Sequence, residues 1–136
     1  MLQRDVPPTK ILFIEHDEAA FQIRQCIARA LLSLPPVELY HARDATEALS
    51  MLESLNPDVI VIDGEETEER ELFIDSLSLN HPPIVVQTEA QASSVCDSEI
   101  TCIQKNDSLE GIHQTLTLAA ALGEKFTGAR VSGALH

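Results

Sequence analysis

The chain has 136 residues, of which 44% are apolar and 23% charged, a composition ordinary for a single globular domain. Its formal net charge is −13, and because so acidic a surface repels phosphate backbones, we expect no direct nucleic-acid binding. This charge suits a partner with a basic patch, or a bound cation. The alternative is that the acidic surface serves only to keep the chain in solution. The sequence shows neither a membrane span nor a signal peptide, and its cysteines lack zinc-site spacing. We therefore expect a cytoplasmic protein, with free and buried thiols at Cys26 and Cys102.

Short apolar runs alternate with amphipathic stretches along the chain. Five of the runs predict strands, at residues 10–14, 37–40, 59–62, 84–86 and 100–103. The run Val59-Ile60-Val61-Ile62 is β-branched without alternation, which is typical of a central parallel strand buried on both faces.

Five helices are predicted between and after these strands. The first has an apolar face of Ala20, Ile23, Ile27, Ala30, Leu31 and Leu34, and the second begins with a capping box at residues 44–47. The third covers residues 66–79 and a weak fourth covers 89–98. A second capping box at 107–110 starts the fifth, and Gly123 is expected to end it. We expect an N-terminal extension (1–9), one domain (10–123) and a tail or linker start (124–136).

Strands that alternate with helices through right-handed crossovers predict an α/β fold. The sheet would be parallel, in the flavodoxin-like order 2-1-3-4-5, with helices on both faces. Ligands bind such sheets at the carboxyl ends of the strands. The residues at those ends are Glu15, His16, Asp17, Glu18, Asp63, Thr88 and Lys105. Each alone has an ordinary explanation, such as Asp17 as a helix N-cap. Together they suit phosphoryl transfer to a carboxylate, which requires positioning and charge neutralisation by a hard cation and an ammonium.

Over residues 9–122 the chain resembles the receiver domains of bacterial two-component response regulators. The similarity rests on the segments 11–17 (Ile-Leu-Phe-Ile-Glu-His-Asp), 42–49 with Met51-Leu52, 57–63 (Pro-Asp-Val-Ile-Val-Ile-Asp) and 83–88, and on the strand that leads to Lys105. This resemblance implies that Asp63 is the phosphoacceptor, Thr88 the switch hydroxyl and Lys105 the partner of the phosphoryl group. It also implies a magnesium site formed by Glu15, His16, Asp63 and the backbone carbonyl of Glu65.

The resemblance further implies a signalling domain that is not itself an enzyme. Its phosphoryl donor would be a histidine kinase or a phosphotransfer protein, and its output would pass to an effector domain or protein. The face formed by the fourth helix, the fifth strand and the fifth helix would dock effectors or form a homodimer. No membrane partner is implied.

Four departures from the family pattern concern this same site. His16 stands where the pattern has the metal-ligating aspartate, and since imidazole is a poor magnesium ligand, Mg²⁺ should bind weakly. Glu89 follows Thr88 where a small residue is usual. The Met-Pro pair after Asp63 is absent. Finally, Lys105 lacks its following proline, and Cys102 replaces the aromatic switch residue.

These departures support an alternative function, that of a pseudo-receiver. Such a domain keeps the fold and acts as a phosphorylation-independent protein-interaction module. His16 among acids could also be a proton-sensitive switch or a ligand of a soft metal. A flavodoxin-like FMN carrier is disfavoured, because the acidic segment after the first strand would repel the cofactor's phosphate.

Overall fold

The computed structural model describes residues 8–30, 36–63, 72–77, 81–88, 100–104 and 108–133, with the backbone alone at positions 63, 88 and 128–133. In chain order its elements are β1 (Thr9–Ile14), α1 (Glu18–Ala30), β2 (Val37–Ala42), α2 (Ala45–Leu55), β3 (Val59–Asp63), the helical stretch α3 (72–75), β4 (Ile84–Thr88), β5 (Ile100–Gln104) and α4 (Leu109–Gly133). Helix α4 is the predicted fifth helix. The predicted fourth helix lies outside the described residues.

The strands form one parallel sheet in the order β2-β1-β3-β4-β5, which confirms the predicted topology. Ile14 of β1 pairs with Ala42 of β2 on one side and with Ile62 of β3 on the other. Residues Val59, Ile60 and Val61 of β3 have no solvent exposure, as the unalternated run predicted for a central strand.

Alternate side chains of the strands supply two apolar cores, one on each face of the sheet. The core beneath α1 and α4 contains Ile11, Phe13, Phe21, Val59, Val61, Val85, Ile112, Leu116 and Ala119. The core beneath α2 and α3 contains Leu12, Ile14, Ala42, Ala48, Ile60, Ile62, Phe73, Ile84 and Val86. This division follows from the two-residue period of a strand and confirms helices on both faces.

Helix α2 has the predicted capping interactions at its start. The side chain of Asp44 accepts a hydrogen bond from the backbone N–H of Glu47 at 2.8 Å, and the Glu47 carboxylate accepts one from the backbone N–H of Arg43 at 2.7 Å. Asn56 ends the helix in the left-handed conformation, with φ 51°, and its N–H donates to the carbonyl of Leu52. At the start of α4 the cap is Ser108, whose hydroxyl accepts from Gly111 N–H at 3.0 Å, so the cap lies one residue later than the predicted capping box at 107–110 placed it.

Helix α4 continues to Gly133, so the prediction that it ends at Gly123 is wrong. Gly123 is buried where the helix crosses the amino ends of β1 and β3. A Cβ there would lie 2.5 Å from Cγ2 of Thr9 and 3.4 Å from Cβ of Asp58. The glycine therefore permits a close approach of helix to sheet and does not act as a C-cap. Four residues later, the Thr127 hydroxyl donates to the Asp58 carboxylate at 3.0 Å. The predicted boundary between domain and tail stays a prediction.

Two cysteines differ from the expectation of free, buried thiols. Cys26 is free but exposed on α1, and Cys102 of β5 is disulfide-bonded. Within the described ranges, no helix has both the length and the apolar character that crossing a membrane requires.

Candidate functional site

The backbone brings three of the predicted site positions to the carboxyl edge of the sheet. Because Ile14 pairs with Ile62, the next residues, Glu15 and Asp63, lie at the same level of neighbouring strands. Asp63 pairs in register with Gln87, and Thr88 ends β4 one residue further on. The side chains of Asp63 and Thr88, and the whole of Glu65 and Lys105, lie outside what the structure describes, so their roles stay predictions.

Glu15 is the site residue whose surroundings are best defined, and it is turned into the core. Its side chain is 1% exposed and forms an ion pair with Arg24 of α1, which is 2% exposed. Nη1 of Arg24 contacts both carboxylate oxygens of Glu15. The acidic residue expected in the metal pocket is therefore already bound by a buried cation of the chain itself.

Sequence reasoning missed Arg24 because it placed the buried face of α1 one residue too early. Ile23, predicted to face the core, is 56% exposed, whereas Arg24 is buried. Arg24 follows the buried Phe21 by three residues and precedes the partly buried Ile27 by three, so it lies on their face of the helix. The signal available in the sequence was a charged residue between two apolar positions on the same face of the helix. Such a residue, when buried, indicates a buried partner of opposite charge.

One aromatic ring contacts this ion pair, and two further rings pack in series against that ring. The guanidinium carbon of Arg24 lies 5.6 Å from the ring centroid of Phe13, within range of a cation–π interaction. Phe13 meets Phe21 edge to face with centroids 6.0 Å apart, and Phe21 stacks on His41 at 4.6 Å. We call these five residues, Phe13, Glu15, Phe21, Arg24 and His41, the Glu15–Arg24 cluster.

The backbone of Glu15 is also fixed, from the side of β2. Its N–H donates to the carbonyl of Ala42 at 2.9 Å, and Nε2 of His41 donates to its carbonyl oxygen at 2.8 Å. Since a carbonyl can only accept, the His41 proton in this contact is on Nε2. The carboxylate is thereby directed to α1 by contacts at both its backbone and its side chain.

The residues that follow Glu15 have left the sheet. His16 is exposed. Oδ1 of Asp17 accepts hydrogen bonds from the N–H groups of Ala19 at 2.9 Å and Ala20 at 3.3 Å. Asp17 thus occupies the N-cap role that the sequence left open, and its carboxylate compensates the free N–H groups at the start of α1.

Of the predicted magnesium ligands, the structure describes the side chains of Glu15 and His16, and these two do not supply what such a site needs; Asp63 and the carbonyl of Glu65 stay predictions. Magnesium requires hard oxygen ligands in near-octahedral geometry. Glu15 is paired with a guanidinium, and His16 offers an exposed imidazole. In the described part of the chain, no three His, Cys, Asp or Glu side chains lie close enough together to hold a metal.

Gln87 is a second buried polar residue at this end of the sheet that sequence reasoning did not interpret. It is 1% exposed, and its Nε2 donates to the hydroxyl of Thr115 on α4 at 3.3 Å. Thr115 in turn donates to the carbonyl of Gly111. Within the described residues, Oε1 of Gln87 has no hydrogen-bond partner. The hydrogen bond between Gln87 and Thr115 therefore links β4 to α4 within the apolar core, at the residue that pairs with Asp63.

Comparison with known proteins finds similarity in structure alone. No family model matches the chain, and no curated protein is significantly similar to it in sequence. A receiver domain protein from Bacillus halodurans superposes with a TM-score of 0.62 at 9% identity, covering 83% of this chain and 97% of its own. A two-component response regulator from Legionella pneumophila gives 0.55 at 18% identity, covering 83% and 98%.

The Mn²⁺-bound form of response regulator Rcp1 gives a TM-score of 0.54 at 21% identity, covering 81% of this chain and 90% of that protein. The three structures share the parallel five-stranded architecture predicted from the sequence pattern. At these identities the likeness concerns the fold, and it shows that this chain has the fold of response-regulator receiver domains.

Proposed function

We propose that this chain is a receiver module of signal transduction that acts as a phosphorylation-independent protein-interaction domain. The fold supports a receiver role. One observation supports the absence of phosphorylation, namely that the Glu15 carboxylate is buried against Arg24. Phosphoryl transfer to a carboxylate needs a cation at the site to neutralise the phosphoryl oxygens. A carboxylate already neutralised inside the core is poorly placed to hold such a cation.

The interaction surface we propose lies along β5 and the start of α4. Leu109, the first residue of α4, is 65% exposed, and β5 is one of the two edge strands of the sheet, β2 being the other. An edge strand offers its outer backbone N–H and C=O groups to a partner, and Leu109 would add one apolar contact. The net charge of −13 favours a partner with a basic surface, either an effector protein or another signalling domain. In this proposal the module performs no catalysis and contacts neither nucleic acid nor membrane.

The second candidate is phosphoryl acceptance on Asp63 from a histidine kinase. The observation that favours it is the position of Asp63, which ends the central strand β3 at the level of Glu15 and beside Gln87. In this candidate Thr88 and Lys105 would contact the phosphoryl oxygens. Weak binding of Mg²⁺ is expected, because His16 and the paired Glu15 offer it few hard anionic ligands.

Intact-mass spectrometry separates the two candidates. Wild-type protein is incubated with acetyl phosphate and Mg²⁺, beside Asp63→Asn and the control Asp75→Asn, which changes an exposed aspartate of α3. The proposed function predicts no added phosphoryl mass in any of the three. A base-labile phosphoryl mass on the wild type and on Asp75→Asn, absent from Asp63→Asn, would establish the second candidate instead.

A further inference from the structure

We infer that Arg24 is a built-in cation at this end of the sheet, taking the place of a divalent metal as the counter-charge of Glu15. Three observations carry the inference: the ion pair itself, its burial, and the contacts that fix both partners. The inference deepens the proposed function and rests on it in one respect, namely that signalling by this module does not require a bound metal.

The first step concerns charge. A guanidinium stays protonated at every pH at which the protein is folded, so Arg24 is a permanent cation. Its Nη1 contacts both oxygens of the Glu15 carboxylate. A divalent cation that approached the same oxygens would compete with the guanidinium for their lone pairs and would be repelled by its positive charge. The pair therefore disfavours a metal at this carboxylate.

The second step concerns burial. Arg24 is 2% exposed and Glu15 is 1% exposed, so both charges have lost nearly all contact with bulk water. An isolated charge in such a place is strongly destabilising, and each partner is tolerated because the other is present. The Glu15 anion is hence compensated in the folded protein by a cation from the second turn of α1.

The third step concerns rigidity. Arg24 lies over the ring of Phe13, and helix α1 is anchored at its start by the Asp17 cap. On the other side, Ala42 and His41 hold the backbone of Glu15. With both ends of the ion pair held, the carboxylate is kept against α1.

A direct consequence is that Mg²⁺ should not stabilise the wild-type fold, whereas removing the guanidinium should create a response to Mg²⁺. In Arg24→Gln the buried Glu15 anion loses the guanidinium that pairs with it, and a cation that reaches the carboxylate then stabilises the folded state. Glu15→Gln/Arg24→Gln lacks the anion as well and should lose the response. Arg29→Gln, on an exposed position of the same helix, is the matched control.

The experiment is thermal unfolding of the full chain, followed by circular dichroism, in MgCl₂ and in NaCl of equal ionic strength. We expect equal Tm values in the two salts for wild type, Arg29→Gln and the double variant. Arg24→Gln should have a lower Tm in NaCl and a saturable rise in MgCl₂. A saturable rise in the wild type, or none in a folded Arg24→Gln, would overturn the inference.

Arg24→Lys keeps the positive charge and covers the case in which Arg24→Gln does not fold. It should resemble the wild type in both salts, and a magnesium-dependent rise in its Tm would contradict the built-in cation. The outcome is separate from that of the mass measurement. A phosphoryl mass on Asp63 would refute the proposed function, and a magnesium-dependent Tm of the wild type would refute this inference.

Discussion

Breaking the Glu15–Arg24 pair from one side should destabilise the protein far more than removing both charges together. Arg24→Met replaces the guanidinium by a flexible apolar side chain and leaves the Glu15 carboxylate in a site that is 1% exposed. Removing one partner of a buried ion pair costs about 3–5 kcal/mol. The lost cation–π contact with Phe13 adds roughly 0.5–2 kcal/mol to that cost. Since domains of this size are stable by about 5–15 kcal/mol, the loss is a large fraction of the total.

The double variant supplies the decisive comparison. Glu15→Met/Arg24→Met leaves neither charge, and replacing a buried pair by apolar side chains is often neutral or stabilising. We expect it to be more stable than either single variant. Urea unfolding followed by circular dichroism gives the free energies of unfolding of all four proteins. Arg29→Met, at an exposed position, should change stability by no more than about 0.5 kcal/mol. If the free-energy losses of the two single variants sum to the loss of the double variant, the account of a coupled buried pair is refuted.

Three further predictions concern other parts of the fold. Gly123→Ala should lower the free energy of unfolding by about 1–3 kcal/mol, because its Cβ would meet Cγ2 of Thr9. Adding Thr9→Ser removes that methyl group and should recover the loss in urea unfolding; no recovery would contradict the proposed clash. Gln87→Leu removes a buried carbonyl that has no partner among the described residues, so we expect a gain of about 1 kcal/mol by the same assay, and a loss would indicate a bound partner. The hydrogen bond that Tyr40 donates to Glu38 raises its pKa above the ordinary value of about 10, with smaller contributions from burial and from the charge of Glu38. Because the folded-state pKa is the higher one, this stabilisation is present below about pH 10 and is lost as pH rises through the folded pKa. Tyr40 is the chain's single tyrosine and there is no tryptophan, so the phenolate absorbance reports it alone. Glu38→Gln should lower that titration midpoint, and an unchanged midpoint would contradict the assignment.

The sheet could be predicted from the sequence because its signal is local. Each strand is a short apolar run, and the β-branched run at Val59–Ile62 indicates a strand covered on both faces. Parallel connections are almost always right-handed, so few strand orders remained, and the observed order is among them. The Asp44 cap and the helix end at Asn56 were likewise set by residues within one helical turn.

The predictions that failed depend on contacts between distant segments. Gly123 is a common helix stop by residue type, yet here the glycine allows α4 to approach Thr9, more than 100 residues earlier in the chain. The buried face of α1 was placed at Ile23 because isoleucine is the more apolar neighbour. Arg24 occupies the core instead because Glu15, outside the helix, compensates its charge.

For the candidate site, the resemblance to receiver motifs predicted the positions but not their surroundings. Glu15 and Asp63 do lie at the same level of adjacent strands, as the motif spacing predicted. Whether a carboxylate at such a position binds a metal depends on which charge packs against it. That charge comes from α1, in a part of the sequence where no receiver motif directed attention to Arg24.

Mn²⁺ titration followed by two-dimensional ¹⁵N NMR tests most directly whether this end of the sheet holds a metal. A bound paramagnetic ion broadens the amide signals of the residues around it, so the method locates the ion as well as detecting it. We predict that the amides of Glu15, His16 and Asp63 keep their line widths at Mn²⁺ concentrations that broaden exposed acidic residues elsewhere. Selective, saturable broadening of these three amides would show a divalent metal at the strand ends and contradict the account in which Arg24 takes its place.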